Sequence, residues 1–406
     1  MAKTKTAETA AAEDDPVGAF VPGERITLAG AASGPLAGLT FGAKDVFDIA
    51  GPVTAFGNPD WARTHPPALV TAPAVTMLCE AGADLVGRTK TVELAAGLTG
   101  ENLWYGTPTN PACPDRYPGG SSCGSAAGCA AGLFDIGLGS DTAGSVRIPA
   151  SYCGLFGFRP SWGAVNACGV LPLAPSFDTV GWFARTATVL RRVGEVLLPA
   201  GGEGALGPLL KPEEAWMNAE PAVAQALSVV LERLEARFGR AVQVEVAVEG
   251  LHAWFDAFRA CNNEENLAAL GPWVASVQPK LSPAVAQRFE LARHQTPQKS
   301  AWARAFRAAA STRLRGLLGG GAVLVFPTSP IPAPLLTATP QEIMEVRERT
   351  IGVTSYAGFS GACEVTIPAA KVDGAPVGLS LLAAPGRDRA LLALAEAAAE
   401  AVGLAA

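Results

Sequence analysis

A chain of 406 residues with 49% apolar and 17% charged side chains and a net charge of -6 has the make-up of a compact enzyme and excludes a disordered chain. The acidic balance, with no window that concentrates Lys and Arg, excludes a polyanion-binding protein and predicts no nucleic-acid partner. No apolar run reaches about 18 residues, so no membrane span is expected, and eight cysteines without a CxxC pair read as reduced thiols of a cytoplasmic protein.

Residues 1–18, acidic at Glu8, Glu13, Asp14 and Asp15 and without an apolar core, read as a disordered tail rather than a leader. Beyond them, 19–406 reads as one domain, because no internal repeat or composition break divides it. Residues 35–45 (PLAGLTFGAKD) read as a buried strand ending in Lys44 and Asp45. A helix is expected at 72–83, with Val75, Leu78 and Cys79 on one face, and a strand at 84–88. Residues 124–132, rich in Ala and Gly, suit a helix in close backbone contact with a sheet. Residues 199–212 read as a surface connection, 242–248 as an alternating strand and 322–327 as a buried one. The spacing of Arg304, Arg307, Arg313 and Arg315 fits the solvated face of a helix. Residues 364–369 and 376–382 read as a strand pair turning at the DG of KVDGA, and 387–402 as a final helix with Leu391, Leu392, Leu394 and Ala395 inward. Short strand-like runs alternating with helical ones predict an α/β layered fold.

The chemistry concentrates in PGGSSCGSAAG at 118–128 and GLGSDTAGSVRIPASYCGLFGFRP at 137–160. Glycine-rich turns can aim backbone N–H groups at an oxyanion; each cluster alone also reads as a tight turn around a small-residue helix. GSSCG matches a nucleophile elbow centred on Ser122, yet PDRYPGG before it supplies no strand. The three histidines, His65, His252 and His294, lack triad or metal-ligand spacing, and no phosphate-loop GxxxxGK occurs. A serine would then need another base. Lysine serves when burial lowers its pKa, and Lys44, between Phe41 and Phe47 in an apolar run, is the candidate, with Asp45 a structural partner. Alone, the same segment also reads as a solvated strand-end lysine.

Taken together, FGAKDVFDIAG, PGGSSCGSAAG and GSDTAGSVRIPASYCGLFGFRPS resemble the amidase signature family, with GNPDWARTHPPA, ENLWYGTPTNP and SFDTVGWFAR resembling its plant indole-3-acetamide hydrolases. The likeness is dense over 35–190 and returns at VTIPAAKVDGAPVGLSLLAAPGRDRALLALA. It implies a single α/β/α domain with a large mixed central sheet and no cofactor or metal. It also implies a small-molecule amide substrate, such as the auxin precursor indole-3-acetamide, and a monomer or homodimer. The family's lysine falls on Lys44, its cis-serine on Ser121, reached through a cis peptide, and its nucleophile on Ser145, 24 residues beyond Ser121. In the implied mechanism neutral Lys44 draws a proton through Ser121 and Ser145 attacks the amide carbonyl. The N–H groups of Thr142, Ala143, Gly144 and Ser145 would hold the oxyanion, with Asp141, Arg147 and Ser122 supporting the loops.

Two departures stand out. Ala143 replaces a glycine common in relatives and would be strained at positive φ, and Cys123 replaces a serine or glycine as a small packed residue. Phe47, Trp61, Trp104 and Phe359 permit an aromatic acyl group or simply core packing. Two other readings follow from the same resemblance: a plant import-receptor module with lost catalytic groups, which would expect tetratricopeptide repeats, and the A subunit of a tRNA-dependent amidotransferase.

Overall fold

The computed structural model describes residues 14–404; residues 1–13 of the expected tail lie outside that range. The rest of that segment belongs to the domain. The Asp15 carboxylate accepts the N–H groups of Ala19 and Phe20 at 2.8 and 2.9 Å, so the folded chain starts before the expected boundary at residue 19.

The first strand, β1 (Thr40–Lys44), is buried from Phe41 onward, as a strand covered on both faces must be. Residues 35–39, expected to extend it, form a turn instead, because Leu36 N–H bonds the Ala81 carbonyl and folds the chain over a helix end. The strands that follow are β2 (Asp84–Thr89), β3 (Ile136–Asp141), β4 (Phe156–Arg159), β5 (Thr179–Ala184), β6 (Leu209–Pro212), β7 (Val242–Val244), β8 (Val323–Pro327), β9 (Cys363–Val372) and β10 (Ala375–Ala383). They make one sheet ordered β2-β1-β3-β5-β4-β9-β10-β8-β6-β7. It is mixed: β1 runs parallel to β2 and β3, β6 parallel to β7 and β8, and the strands between are antiparallel.

Most expected elements form with shifted ends. The helix expected at 72–83 spans Pro73–Glu80, and 84–88 is β2 with one residue added. Residues 209–212, read as connection, become β6, while only 242–244 of the expected 242–248 pairs, at the sheet edge. The expected hairpin is β9–β10, turning through Asp373 and Gly374, both at positive φ, the backbone of a two-residue turn that fits strand twist.

Alternation along β5 sets the layers. Phe183 joins Ala126, Cys129, Ala150 and Cys153 under the helices Cys123–Ala130 and Arg147–Cys153. Val180, Trp182 and Ala184 join Leu190, Val193 and Leu392 of the helices Ala187–Leu197 and Asp388–Val402 in the main core. The close approach expected of 124–132 is real: a Cβ on Gly124 would stand 2.2 Å from the Ala19 carbonyl oxygen.

A helical wall flanks the sheet. Leu251–Val277, Pro297–Leu317 and Pro340–Ser360 pack together around Trp254, Phe306, Tyr356 and Phe359, whose rings meet 5.1–6.1 Å apart. The expected solvated arginine face is corrected here. Arg307 lies 3.9 Å over the Phe177 ring and binds Ser176, Arg313 grips Glu249 and the Val246 carbonyl, and Arg315 donates to the Ser360 carbonyl. Arg304 alone fits the expectation, pairing with Glu264 at 57% exposure. Aliphatic stems that cross a packed surface carry their charges to acceptors on neighbouring loops and helix ends rather than to water.

Candidate active site

Lys44 ends β1, and Ser140 and Asp141 end the parallel neighbour β3. The cluster therefore stands at the carboxyl ends of adjacent strands, the edge where open α/β sheets hold their sites. Lys44 is wholly buried. Its Nζ donates to Ser121 Oγ at 2.8 Å and to Ser140 Oγ at 2.9 Å. Burial lowers its pKa to about 7, against the partial upward pull of the Asp141 and Asp178 carboxylates. The solvated strand-end lysine is thereby excluded. Asp45 turns away, accepting from Ala55 N–H and Arg88 at 3.2 and 3.1 Å; burial pushes its pKa up to about 6 although Arg88 opposes the rise.

Ser121 follows a cis peptide from Gly120, and the next residue joins the two loops. Ser122 N–H donates to the Ser145 carbonyl at 3.3 Å and Ser122 Oγ to the Ser140 carbonyl at 3.2 Å. Ser145 is 97% buried, yet it lines a cavity of about 1070 Å³ with Ala143 and Ile148. Among the described residues no hydrogen bond engages Ser145 Oγ or the N–H groups of Thr142, Ala143 and Ser145, and of these residues Ala143 and Ser145 line the cavity. Gly144 departs from expectation. Its N–H donates to Asp141 Oδ1 at 2.9 Å, which removes it from the expected oxyanion donors. Positive φ falls on Gly144, at 118°, and not on Ala143, so the alanine brings no strain.

The loop is held from beneath by a buried ion network. Asp141 accepts the N–H of Val146 at 3.0 Å and pairs with Arg147 at 2.8 Å and Arg159 at 2.9 Å. Arg147 also reaches Glu364 at 2.7 Å. Burial alone would raise the Asp141 pKa, but the two guanidinium groups hold it well below the carboxylate range. Burial raises that of Glu364, with Arg147 offsetting part of the rise. The carbonyls of the loop are also taken: Thr354 Oγ1 donates to Ala143 at 2.8 Å and Arg159 to Asp141 at 2.6 Å. These bonds fix the loop through the Asp141 carboxylate and the carbonyls of Asp141 and Ala143.

The sequence reading missed Ser140, Arg159, Glu364 and Thr354. Arg159 and Glu364 could have been found, since each is a lone charge in an apolar strand run and such charges are paired when buried. Ser140 and Thr354 carry no comparable signal. The three histidines lie elsewhere: His65 stacks on Trp61 at 3.7 Å, while His252 and His294 are 71% and 76% exposed beside Glu348 and Glu290. All eight cysteines are free, and Cys123, buried, points its Sγ to the Lys90 carbonyl at 3.5 Å. Phe47, Trp61, Trp104 and Phe359 do not line the cavity; its aromatic wall is Tyr117, Tyr152, Phe255 and Phe258.

A ten-stranded mixed sheet between helical layers, with a desolvated lysine bonded to a serine at the strand ends and a second serine at the cavity floor, defines an amide hydrolase acting on carbon–nitrogen bonds. The family comparison agrees: the Amidase family model matches residues 19–199 and 211–392, and the chain belongs to the amidase signature family. It is 40% identical to Amidase 1 of Arabidopsis thaliana over 95% of this chain and 98% of that one. It is 38% identical to the Translocon at the outer membrane of chloroplasts 64 of Pisum sativum, over 88% of this chain and 65% of that one. A crystal structure of an amidase superposes with a TM-score of 0.81 and 34% identity, covering 89% of this chain and 84% of that one. Among the described residues no helix is long and apolar enough to cross a membrane.

Proposed function

We propose that this chain hydrolyses small primary amides with an apolar or aryl acyl group, indole-3-acetamide among them, to the carboxylic acid and ammonia in the cytoplasm. Neutral Lys44 accepts a proton through Ser121, Ser145 adds to the carbonyl, the relay returns the proton to the leaving amine, and water releases the acyl group. Thr142, Ala143 and Ser145 supply the oxyanion donors, and Asp141, Arg147 and Ser122 keep their loops in place. The observation that carries this reading is the 2.8 Å contact between Lys44 Nζ and Ser121 Oγ at a lysine whose pKa is about 7. The cavity wall of Ile148, Leu173, Phe255 and Phe258 supports the apolar acyl preference.

Ammonia release across acetamide, benzamide, phenylacetamide and indole-3-acetamide tests the substrate class. The aryl acetamides are expected to exceed acetamide in kcat/KM by roughly tenfold or more, since burying one ring of the acyl group supplies about 2 kcal/mol; a preference for acetamide would defeat it. The base assignment has its own signature. A base works deprotonated, so kcat/KM should rise tenfold per pH unit below about 7 and level off above it, and a profile flat from pH 5 to 9 would remove Lys44 from the role.

The similarity to the Pisum sativum protein favours a second reading, a binding module of a larger assembly. The joint retention of Lys44, Ser121 and Ser145 weighs against it. A wild-type protein inert on the whole amide panel would move that reading ahead.

A further inference from the structure

Arg259, Arg288 and Arg347 all line the cavity, and Arg259 and Arg347, on neighbouring helices, differ in their company. Phe255, Phe258, Arg259, Asn262 and Asn263 line the cavity from the helix Leu251–Val277, and Ile343, Arg347, Thr350 and Ile351 from the helix Pro340–Ser360. Both sets follow the three- and four-residue spacing of one helix face, which puts each arginine in the middle of its lining stripe. Arg259 is neutralised by Asp256 at 2.6 Å. Arg347, half-buried, has no hydrogen bond and no ion pair among the described residues, and its charged neighbour of consequence is another cation. Burial and then Arg259 lower its pKa to about 10.

The cavity's acids do not compensate it. Glu93 is consumed by Asn58, Trp104 and Ser282 N–H at 2.6, 2.7 and 2.9 Å. Glu101 is exposed and holds Tyr117 and Thr99 at 3.0 and 2.9 Å. A half-buried guanidinium with no anionic partner gains from an anion that arrives with the ligand, and its planar fork matches a carboxylate. Resting on the amidase reading, we propose that Arg347, with Arg259 beside it, binds a carboxylate on the acyl portion of the substrate, so that the preferred substrates are monoamides whose apolar or aryl spacer ends in a carboxylate.

The test pairs phenylacetamide with its ring-carboxylated analogue, 4-(carbamoylmethyl)benzoate, in wild type, Arg347→Gln and Arg347→Lys. Wild type should favour the carboxylated amide by tenfold or more in kcat/KM, carried by KM. Arg347→Gln should collapse that ratio to about one and Arg347→Lys should restore part of it. Calorimetric binding of the dianion 4-(carboxymethyl)benzoate to wild type and Arg347→Gln gives a readout without turnover. Hydrolysis of the neutral amide with no carboxylate preference, or with a preference that Arg347→Gln leaves in place, overturns the inference and leaves the amidase reading intact. Arg347-dependent dianion binding by a protein that turns over neither amide overturns the amidase reading instead, and absence of both binding and turnover overturns the inference.

Discussion

Ser145→Ala is expected to abolish amide turnover, lowering kcat by about four orders of magnitude or more, while the protein unfolds as wild type does. The two halves of that expectation have separate physical grounds. Ser145 Oγ makes no hydrogen bond among the described residues and faces the cavity, so truncation to alanine removes a hydroxyl that packs against nothing it stabilises. The chemistry, by contrast, runs through that atom, and the remaining oxyanion donors can polarise the carbonyl but cannot form the acyl-enzyme. Lys44→Ala should lose a similar factor, and the Ser145→Ala/Lys44→Ala double variant should be little worse than either single one, because groups acting as one relay are not additive. Lys44→Ala also deletes a buried side chain that donates to Ser121 and Ser140, so its unfolding curve must be recorded with its rate. Mass spectrometry of quenched wild-type reactions should find the acyl mass on the peptide holding Ser145. Activity within tenfold of wild type in Ser145→Ala would end the assignment.

How much of this was legible in sequence follows from what each feature depends on. Lys44, Ser121 and Ser145 were found because glycine, serine and a lysine ending an apolar run are unusual neighbours, and the motif that unites them is local in the chain. The layered fold was legible for the same reason: its strands are short apolar runs, and burial on both faces leaves that mark. The order β5-β4-β9 was not legible, since it joins residues more than 180 positions apart through a register, Arg159 opposite Glu364, that only the folded sheet fixes. The oxyanion donors turn instead on a contact inside their own loop. Local reading counted four N–H groups, but the Asp141 carboxylate lies inside the loop and takes the one on Gly144. The aromatic cavity wall escaped for a related reason. Phe255 and Phe258 belong to a stretch with no distinctive motif, and it is the packing of three helices on one another that turns them toward Ser145.

Asp141→Ala is the second large expected effect, and it falls on stability before catalysis. The carboxylate neutralises two fully buried guanidinium groups, Arg147 and Arg159, and accepts three backbone N–H groups of the loop that carries Ser145. Removing one member of a buried ion cluster leaves the others as uncompensated charges, a loss of about 3–5 kcal/mol, whereas Glu364 can answer only Arg147. Arg159 would keep the carbonyls of Asp141 and Phe177 at 2.6 and 2.7 Å, but carbonyl dipoles do not cancel a charge. The pH dependence has a definite sign. A carboxylate whose folded pKa lies well below its unfolded value contributes fully above the ordinary carboxylate pKa of about 3.8 and is lost only as pH falls through the lower, folded value. Urea unfolding should therefore show the full deficit of Asp141→Ala at pH 7 and still most of it at pH 4. Asp141→Asn, which keeps the shape and some acceptors without the charge, should fall between wild type and alanine. If Asp141→Ala loses less than about 1 kcal/mol at pH 7, the network does not hold the loop, and the position of Ser145 must come from the glycine turn and helix packing alone.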